Sequence, residues 1–332
     1  SLERALQYRK EKSAVSGNRK IAALKRDRII GSSPQLNACL DLVAQAAGSD
    51  VNVFITGETG TGKELFARAV HENSHRSRGN FIVVDCTALP ETLVESLLFG
   101  HEKGSFTGAE KARDGLIKQA HCGTLFLDEV GELPLTLQKS FLRVLQERRF
   151  RPLGSNREIE SDFRLVAATN RDLDKMVREG MFREDLLYRL RSYLIELPPL
   201  RDRTEDIGIL TRYHVDLFCE RYGLAPKGFS PEFLEMLKAY SWPGNVREFV
   251  NTLERTLSSA RFDPTLFPKH LPTHLRVQVT RAAVEQEPTD HTASAKGQPQ
   301  NLPNLHDYRE SVYNEAERQY LQDLLALSEH QI

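Results

Sequence analysis

The sequence lacks the features that would assign it to several special classes of protein. No stretch approaches the roughly 18 consecutive apolar residues of a membrane-spanning helix, and the first residues are charged where a secretion signal is apolar. With 45 lysines and arginines against 46 aspartates and glutamates, the chain has no surplus of cations. We therefore expect neither a membrane protein nor a generic binder of nucleic acid.

Cysteine is also scarce, with four residues in 332 and no Cys-X-X-Cys pair. This usage is typical of free thiols in a reducing compartment. Apolar residues make up 40% and charged residues 27%, which are ordinary proportions for a globular chain of roughly two domains. Five histidines have no metal-ligand spacing, and we interpret them as surface or helix-end residues: His71, His75, His101, His121 and His214.

Short apolar runs alternate with helical patterns in the first two thirds of the chain. Five of these runs predict strands, at residues 51–55, 81–84, 123–127, 164–168 and 193–197. The alternation predicts an α/β fold, a parallel sheet flanked by helices on both faces. From residue 203 to about 274 the pattern is helical without strands, and Ser230 and Pro231 predict a helix start.

These patterns divide the chain into five predicted parts. We interpret the cationic segment 1–28 as a solvated linker helix rather than a DNA-binding arm. The α/β part covers 29–200 and a small all-α part covers 201–276, followed by a flexible linker, 277–303, that is poor in apolar residues. Residues 304–332 carry an apolar stripe at helical spacing, which predicts a helix that needs a partner surface.

A glycine-rich turn follows the first predicted strand and opens a helix. It reads Gly57-Glu58-Thr59-Gly60-Thr61-Gly62-Lys63, the spacing of a phosphate-binding loop. The backbone N–H groups of such a loop, the helix N-terminus and the lysine charge together hold the phosphates of a nucleotide. The next residue is Glu64, where most such loops have a Ser or Thr that ligates Mg²⁺, so we expect Asp128, the phosphates and water to hold that ion.

Polar residues end the third and fourth predicted strands. Because adjacent strand residues face opposite ways, we predict separate roles for Asp128, which holds Mg²⁺ directly or through water, and Glu129, the general base. Asn170 is predicted either to orient the attacking water or to cap a turn.

Arg183 and Arg189 fall on a predicted helix, where they either stabilise phosphoryl-transfer charge across a subunit interface or are solvated.

The order of these motifs resembles that of the AAA+ ATPases, and further segments resemble the sigma-54-dependent transcription activators, or bacterial enhancer-binding proteins. Residues 104–109, Gly-Ser-Phe-Thr-Gly-Ala, are similar to the GAFTGA loop of that family. Residues 95–102 are similar to its preceding helix, and 242–248 to its Trp-Pro-Gly-Asn-Val-Arg-Glu segment. The resemblance covers about residues 29–276 and implies a P-loop domain with a parallel sheet, plus a small all-α lid.

The resemblance also implies a function. Members hydrolyse ATP to ADP and phosphate in a homo-oligomeric ring, usually a hexamer, and remodel the closed complex of sigma-54 RNA polymerase so that the promoter opens. It implies a bacterial cytoplasmic protein that uses ATP and Mg²⁺. The family pattern gives the contact with sigma-54 to Gly104, Ser105, Phe106, Thr107, Gly108 and Ala109.

The family pattern assigns further roles residue by residue. Catalysis is carried over to Lys63, Asp128, Glu129, Asn170 and the trans-acting arginines Arg183 and Arg189. Nucleotide binding is carried over to Ile30 on the adenine side, to Arg247 as the sensing arginine of the lid, and to Gly57, Glu58, Thr59, Gly60, Thr61, Gly62, Lys63 and Glu64. The segment 148–154 falls where the second pore loop of the family lies.

Three residues depart from the family pattern. Ser105 replaces an alanine, and Phe249 replaces a leucine in what we interpret as a packing substitution. Asp85 stands where many members have an asparagine that contacts the general base, so we expect Asp85 either to repel Glu129 or to raise a pKa, and thereby to change the coupling of the loop to the nucleotide.

The two ends of the chain resemble pieces of larger domains. The N-terminal segment resembles the linker that follows the receiver domain of a two-component response regulator. The last predicted helix resembles the start of a truncated Fis-like helix-turn-helix domain, which implies that the parent protein binds enhancer DNA through its C-terminal domain. We therefore expect the chain to be a piece of a longer protein.

Two other functions fit parts of the sequence. The first is a nucleotide-binding scaffold without useful hydrolysis, against which the intact Lys63, Asp128 and Glu129 argue. The second is another AAA+ machine, such as a protein unfoldase or a helicase motor, against which the 104–109 loop argues.

Overall fold

A computed structural model of the chain describes residues 24–26, 28–87, 91–106 and 108–286, and their side chains apart from those of 91–93 and 282–286. Its strands are β1 (Val53–Thr56), β2 (Phe81–Asp85), β3 (Gly100–His101), β4 (Arg113–Asp114), β5 (Thr124–Asp128), β6 (Arg149–Phe150), β7 (Ile159–Glu160), β8 (Arg164–Thr169), β9 (Tyr193–Glu196), β10 (Gly228–Phe229) and β11 (Thr265–Leu266). The main sheet has the order β2-β5-β8-β1-β9, and all its pairings are parallel.

Helices cover both faces of this sheet and form the part that follows it. They are α1 (Pro34–Ala47), α2 (Lys63–Glu72), α3 (Glu91–Phe99), α4 (Leu116–Gln119), α5 (Leu135–Glu147), α6 (Leu173–Arg178), α7 (Glu184–Leu190), α8 (Asp206–Tyr222), α9 (Pro231–Ala239), α10 (Asn245–Ser259) and α11 (Thr273–Gln286). Short 3₁₀ turns lie at Val130–Glu132, Leu200–Arg203 and Pro268–His270.

The main sheet is buried on both faces because its strands alternate between two apolar clusters. Leu125 and Leu127 of β5 pack with helices α3 to α7 on one face. Phe126, between them, packs with α1 and α2 on the other face. The central strand β8 is buried along its whole length, as a strand covered on both sides requires. The predicted α/β fold is confirmed, and its carboxyl edge gathers the ends of β1, β5 and β8.

The part after the sheet is a helical lid around a separate apolar cluster. Trp242 is fully buried there, and Phe233 of α9 and Phe249 of α10 pack in the same cluster. Ser230 caps α9, with its Oγ accepting a hydrogen bond from the Phe233 N–H at 3.2 Å, and Pro231 is the first helical residue. The helix start predicted from this Ser-Pro pair is confirmed.

Two expectations for this region are wrong. The lid contains a short parallel strand pair, β10 and β11, because the chain returns beside itself after α10. The helix α11 runs through residues 277–286 of the predicted flexible linker. Leu275 and Val279, one helical turn apart, pack on the lid cluster, and these two contacts outweigh the polar composition of the segment.

Several predicted features lie outside the described residues. They are residues 1–23 and 27 of the N-terminal linker helix, residues 287–303 of the flexible linker, the helix predicted within 304–332, and Thr107 of the 104–109 loop. Within the part that the structure describes, none of the helices combines the length and the apolar content needed to cross a membrane.

Candidate functional site

The predicted phosphate-binding loop joins β1 to α2 at the carboxyl edge of the sheet. Gly60 and Gly62 have left-handed backbones, with φ of +81° and +104°, which residues with a Cβ atom rarely adopt. Gly62 occupies the N-cap position of α2, and Lys63 is the first helical residue. The helix N-terminus, with its free N–H groups, therefore opens directly from the loop, as phosphate binding requires.

Lys63 contacts the predicted general base. Its Nζ lies 3.1 Å from Glu129 Oε1 and donates a hydrogen bond to the Gly57 carbonyl at 3.1 Å. The side chains of Lys63 and Glu129 are only 6% and 19% exposed, so this ion pair is shielded from solvent. Two predicted catalytic residues, Lys63 and Glu129, thus form an ion pair.

Asp128 and Glu129 face one cavity rather than opposite sides of the sheet. Glu129 is the first residue after β5 and has a left-handed backbone, with φ of +50°. The prediction from strand alternation is therefore wrong, because Glu129 has already left the strand. Burial first, and then the neighbouring Glu129 charge, raise the pKa of Asp128 above its ordinary value.

Asn170 connects Glu129 to the phosphate-binding loop. Its backbone N–H donates to Glu129 Oε2 at 3.0 Å, and its Nδ2 donates to Thr59 Oγ1 at 2.8 Å. The turn after β8 is held instead by Thr169, whose Oγ1 accepts a hydrogen bond from the Arg171 N–H at 3.1 Å. Of the two predicted roles, the geometry favours a position beside the nucleotide over a turn cap.

A cavity of about 480 Å³ opens between the loop and the lid, a size suited to a nucleotide. The predicted residues that line it are Ile30, Thr59, Gly60, Thr61, Gly62, Lys63, Glu64, Asp128, Glu129 and Arg247. Three others, Gly57, Glu58 and Asn170, stand behind the lining and bond to residues in it. Glu64 is paired with Arg68 of the next helical turn at 2.8 Å.

Three residues that sequence reasoning missed also line this cavity. Arg203 is 4% exposed, and its Nη2 donates to the Thr61 carbonyl at 3.4 Å. Leu210 and His214 come from one face of α8. The interpretation of His214 as a surface or helix-end residue is wrong, since it lies within α8, where burial lowers its pKa. The helical spacing of Leu210 and His214 was visible, but the surface that this face covers was not.

Arg183 and Arg189 are not among the residues that line the cavity. Arg183 is the N-cap residue of α7, rather than within the helix as predicted, and pairs with Asp185 at 2.6 Å. Arg189 is exposed in the last turn of α7, with Nη2 3.5 Å from the Leu145 carbonyl. Tyr188, beside it, is 75% exposed. Both arginines therefore lie outside the lining of this cavity in their own chain.

The described part of the 104–109 loop is a hydrogen-bonded turn with open space around its two glycines. The Gly104 N–H donates to the Ala109 carbonyl at 2.9 Å, and the Ala109 N–H donates to the Phe106 carbonyl at 3.0 Å. Gly104 and Gly108 have φ of +83° and +104°, and a Cβ atom on either would meet nothing within 4 Å. The two glycines thus serve backbone conformation rather than close packing.

Phe106 is exposed but leans on the base of its own loop. Its ring is 41% exposed and lies edge-on to the His101 ring, with 5.0 Å between the ring centroids. The Nδ1 of His101 is in turn 2.7 Å from Ser96 Oγ on α3. The loop therefore presents an aromatic side chain that packs against His101 and remains partly open to solvent.

The segment 148–154 lies beside the base of this loop. The Leu153 N–H donates to the Gly100 carbonyl at 2.9 Å, and the Glu102 N–H donates to the Leu153 carbonyl at 3.0 Å. A Cβ atom on Gly154 would lie 2.7 Å from the Ser105 Cβ. The two segments that the family pattern places at the pore are thus joined through their backbones.

Two of the departures from the family pattern have local structural partners. Asp85 Oδ1 accepts hydrogen bonds from the Thr87 N–H at 2.9 Å and the Thr87 Oγ1 at 2.6 Å. Asp85 also stands opposite Asp128 in the β2–β5 pair, and its charge adds to burial and to the Glu129 charge in raising the pKa of Asp128. The repulsion expected between Asp85 and Glu129 stays a prediction. Phe249 lies edge-on to Trp242, with 4.8 Å between their ring centroids, which is a packing contact.

Comparison with protein families decides the identity of this arrangement. A family model described as the sigma-54 interaction domain matches residues 29–196, just over half of the chain. The chain belongs to the sigma-54 interaction domain family. The part that follows this sigma-54 interaction domain, residues 201–288, matches a second model, the AAA+ ATPase lid domain. The family of AAA+ sigma-54-dependent transcriptional activators inferred from the motifs is confirmed.

Curated relatives of this sigma-54 interaction domain protein are transcriptional regulators. The chain is 49% identical to the regulatory protein AtoC of Escherichia coli (strain K12) over 255 residues, which are 76% of this chain and 55% of AtoC. It is 49% identical to the transcriptional regulatory protein ZraR of Klebsiella oxytoca over 229 residues, 69% of this chain and 52% of ZraR. The chain thus spans about half the length of the curated relatives it matches.

Solved structures of similar chains contain nucleotides. A crystal structure of NtrX from Brucella abortus in complex with ADP has a TM-score of 0.71 and 33% identity, and the match covers 83% of this chain and 59% of that one. An NtrX structure in complex with ATP has a TM-score of 0.70 and 32% identity, over 95% of this chain and 66% of that one.

The donors beside the phosphate-binding loop of this sigma-54 interaction domain fit Mg²⁺. That ion is usually held by one or two carboxylates together with waters and substrate phosphates. Asp128 supplies such a carboxylate next to the loop. The Asp128 carboxylate therefore fits an ion that the phosphates of a nucleotide would share.

Proposed function

We propose that this chain is an ATP-hydrolysing activator that remodels the closed complex of sigma-54 RNA polymerase, so that the promoter opens and transcription starts. One observation carries the proposal: Lys63, Asp128, Glu129 and Arg247 line one cavity in a chain of the sigma-54 interaction domain family. The reaction converts ATP and water to ADP and phosphate.

The two ends of the cavity suit the two ends of ATP. Residues 57–64 offer N–H groups and the Lys63 charge to the phosphates, and Arg247 approaches from the lid. The apolar side chains of the lining suit the base, and Ile30 belongs to them together with Ile29, Leu210, Val246 and Val250. The nucleotides bound by the NtrX relative support this assignment.

Glu129 is proposed to act as the general base. Its Oε2 is held by the Asn170 N–H, which fixes the carboxylate orientation, while Oε1 is paired with Lys63. When Lys63 turns to the phosphates, Oε1 becomes free to accept a proton from the water that attacks the terminal phosphorus. The bond from that phosphorus to the bridging oxygen of ADP then breaks. Asp128, together with the phosphates, would hold Mg²⁺, which would neutralise charge at the leaving oxygens.

Hydrolysis is proposed to need a second copy of the chain. Arg189 is exposed beside Tyr188, and Arg183 is partly exposed at the start of α7; both lie outside the lining of their own cavity, which suits contact with the nucleotide of a neighbouring chain. Arginines supplied in this way stabilise the charge of phosphoryl transfer. We propose a homo-oligomeric ring on this basis, with the hexamer as the family's usual form.

The 104–109 loop is proposed to contact sigma-54 through Phe106 and Thr107. The exposed Phe106 and the open space around Gly104 and Gly108 support a contact tip at this loop. Sigma-54 and RNA polymerase are the proposed partners, in the bacterial cytoplasm. Enhancer DNA is the proposed partner of a C-terminal domain in the parent protein.

The concentration dependence of ATP turnover tests this proposal. If the active site is completed by a neighbour, turnover per chain should rise steeply with protein concentration until rings are complete, and then level off. Turnover per chain that is already maximal in dilute solution would contradict a shared site. Absence of turnover at every concentration would contradict the enzymatic function altogether.

A further inference from the structure

We propose that Asn245 is a positioning residue for the proposed ATP hydrolysis, because it joins the lid to the phosphate-binding loop. Asn245, Glu58 and Arg201 together form what we call the polar latch. The latch makes the position of the lid and the conformation of the loop depend on each other. The effect of the latch on ATP hydrolysis rests on the proposed function. The coupling between the lid and the phosphate-binding loop does not.

The carboxamide of Asn245 contacts three separate parts of the chain. It is fully buried at the start of α10, and its Nδ2 donates to Glu58 Oε2 at 3.0 Å and to the Thr59 carbonyl at 3.1 Å. Its Oδ1 accepts a hydrogen bond from the Leu200 N–H at 2.7 Å. One side chain thus connects the phosphate-binding loop, the connection after β9 and the lid, with donors and acceptor all used.

The backbones of the loop and the lid also touch at this point. A Cβ atom on Gly60 would lie 2.2 Å from the Gly244 carbonyl oxygen, so only glycine fits there. The Arg247 N–H donates to the Gly60 carbonyl at 3.3 Å. The loop is therefore in direct backbone contact with the first turn of α10. A displacement of one segment displaces the other.

The turn that carries Asn245 is rigid on the lid side. Trp242 and Asn245 both have left-handed backbones, with φ of +52° and +51°, and such conformations persist only where the surroundings fix them. Trp242 is fully buried, and its Nε1 donates to the Leu237 carbonyl at 2.7 Å. The latch therefore transmits movement to the whole lid rather than to a flexible tip.

Glu58 is held as an anion at the loop side of the latch. Arg201 binds it with two hydrogen bonds, of 2.9 Å and 2.5 Å. Hydrogen bonds from Arg201 and then from Asn245 lower the pKa of Glu58 to about 2. Glu58 is thus a permanent acceptor at neutral pH, which suits a fixed connection rather than a proton donor.

The latch links phosphate contact to the lid arginine. Glu58 and Thr59 belong to the loop that surrounds the phosphates, and Asn245 lies two residues before Arg247 on the lid. A change in the loop on phosphate binding is therefore passed to the start of α10 and alters the approach of Arg247. Coupling of this kind is reciprocal, so a change in the lid alters the loop equally.

Amide hydrogen exchange without nucleotide tests the coupling itself. In Asn245→Asp, a carboxylate would face Glu58, and an aspartate tolerates the left-handed backbone as asparagine does. We expect exchange in residues 57–62 to become roughly tenfold faster, although the substitution lies in the lid. Glu58→Gln should, to a smaller extent, speed exchange in residues 243–248. Changes confined to the substituted segment in both variants would overturn the latch.

ATP turnover tests the positioning role. Asn245→Asp should lower kcat about tenfold or more while KM changes less, because the loop still offers its N–H groups to the phosphates. In the double variant with Glu58→Gln, the glutamine amide donates to the new aspartate, so kcat should recover in part; the Thr59 carbonyl still lacks the donor that Asn245 supplied. A role of Asn245 in lid folding alone predicts no recovery, and unchanged kcat in Asn245→Asp would also overturn the proposal.

A matched control is Asn80→Asp. Asn80 is exposed before β2, at the opposite edge of the sheet, and its Nδ2 donates to the Gln119 carbonyl at 2.9 Å. This variant loses a comparable amide donor and should leave both kcat and the exchange of residues 57–62 unchanged. If the chain as such shows no turnover, the proposed function fails, while the exchange experiment still decides whether the latch exists.

Discussion

The nucleotide cavity and the 104–109 loop are built in opposite ways. In the cavity, polar side chains from distant parts of the chain bind one another, as Lys63 does with Glu129 and Asn170 with Thr59. In the loop, the glycines have open space around them and Phe106 is 41% exposed. Side-chain contacts therefore hold the groups of the cavity in place, while the glycines of the loop leave space around its backbone, as suits the proposed contact with a partner protein.

The largest effect is expected from Arg189→Ala, which should lower ATP turnover roughly a thousandfold, since an arginine supplied by a neighbouring chain contributes about 10³–10⁵ in rate. Because Arg189 lies outside its own cavity, an equal mixture with Glu129→Gln should regain part of the activity. Turnover assays of each variant and of the mixture test this. Arg178→Ala, an exposed arginine on α6, is the control. A mixture no more active than its components would contradict the shared site.

Lys63→Ala should have the next largest effect, a loss of turnover of roughly a hundredfold or more. The variant removes the charge that serves the phosphates and leaves Glu129 without its partner at 3.1 Å. Steady-state kinetics measure the loss, with Lys175→Ala, whose side chain is 65% exposed on α6, as the control. Equal turnover in the two lysine variants would show that Lys63 has no role in hydrolysis.

Substitutions in the 104–109 loop should behave in the reverse way. Phe106→Ala and Thr107→Ala are expected to change ATP turnover by no more than about twofold, as for surface positions. Promoter opening by sigma-54 RNA polymerase should nevertheless be lost, since the contact tip is gone. Turnover and open-complex formation measured on the same samples separate the two effects. A parallel loss of both would show that the loop and the cavity are not independent.

The smallest effect is expected from pH. The pKa of Glu58 falls from 4.5 to about 2 through hydrogen bonds from Arg201 and Asn245. Because the pKa is lower in the folded state, the carboxylate stabilises the fold above about pH 4.5, and this contribution is lost as the pH falls toward about 2. The Glu58 side chain is 41% exposed, so screening by solvent keeps the contribution small.

Thermal unfolding followed from about pH 6 to about pH 3 checks this contribution. The unfolding midpoint of Glu58→Gln should fall less with acid than that of the unaltered chain. If both midpoints fall equally, the Glu58–Arg201 pair does not stabilise the folded state.

Local spacing was sufficient to predict the elements that carry the chemistry. The phosphate-binding loop is contiguous in sequence, and Asp128 and Asn170 are marked by the ends of apolar runs. The five strands of the sheet were found for the same reason, since buried parallel strands are short and continuously apolar. These features depend on neighbours along the chain.

Features that depend on distant contacts were missed. Glu129 leaves the strand with a left-handed backbone, and α11 continues to Gln286 because Leu275 and Val279 reach the lid. Asn245 was visible only as part of a motif, and nothing local marks its bonds to Glu58 and Leu200. Sequence patterns locate the candidate catalytic groups. The hydrogen bonds and packing contacts that position these groups depend on tertiary structure.

The most direct test of the central claim is the number of open complexes formed per ATP hydrolysed, with sigma-54 RNA polymerase and a high concentration of this chain. We predict that the unaltered chain opens the promoter only with hydrolysable ATP. We also predict that Phe106→Ala, at a similar rate of turnover, forms at least roughly tenfold fewer open complexes for each ATP. Equal yields of open complex per ATP in the two chains would contradict the claim that the cavity's chemistry is delivered through the 104–109 loop.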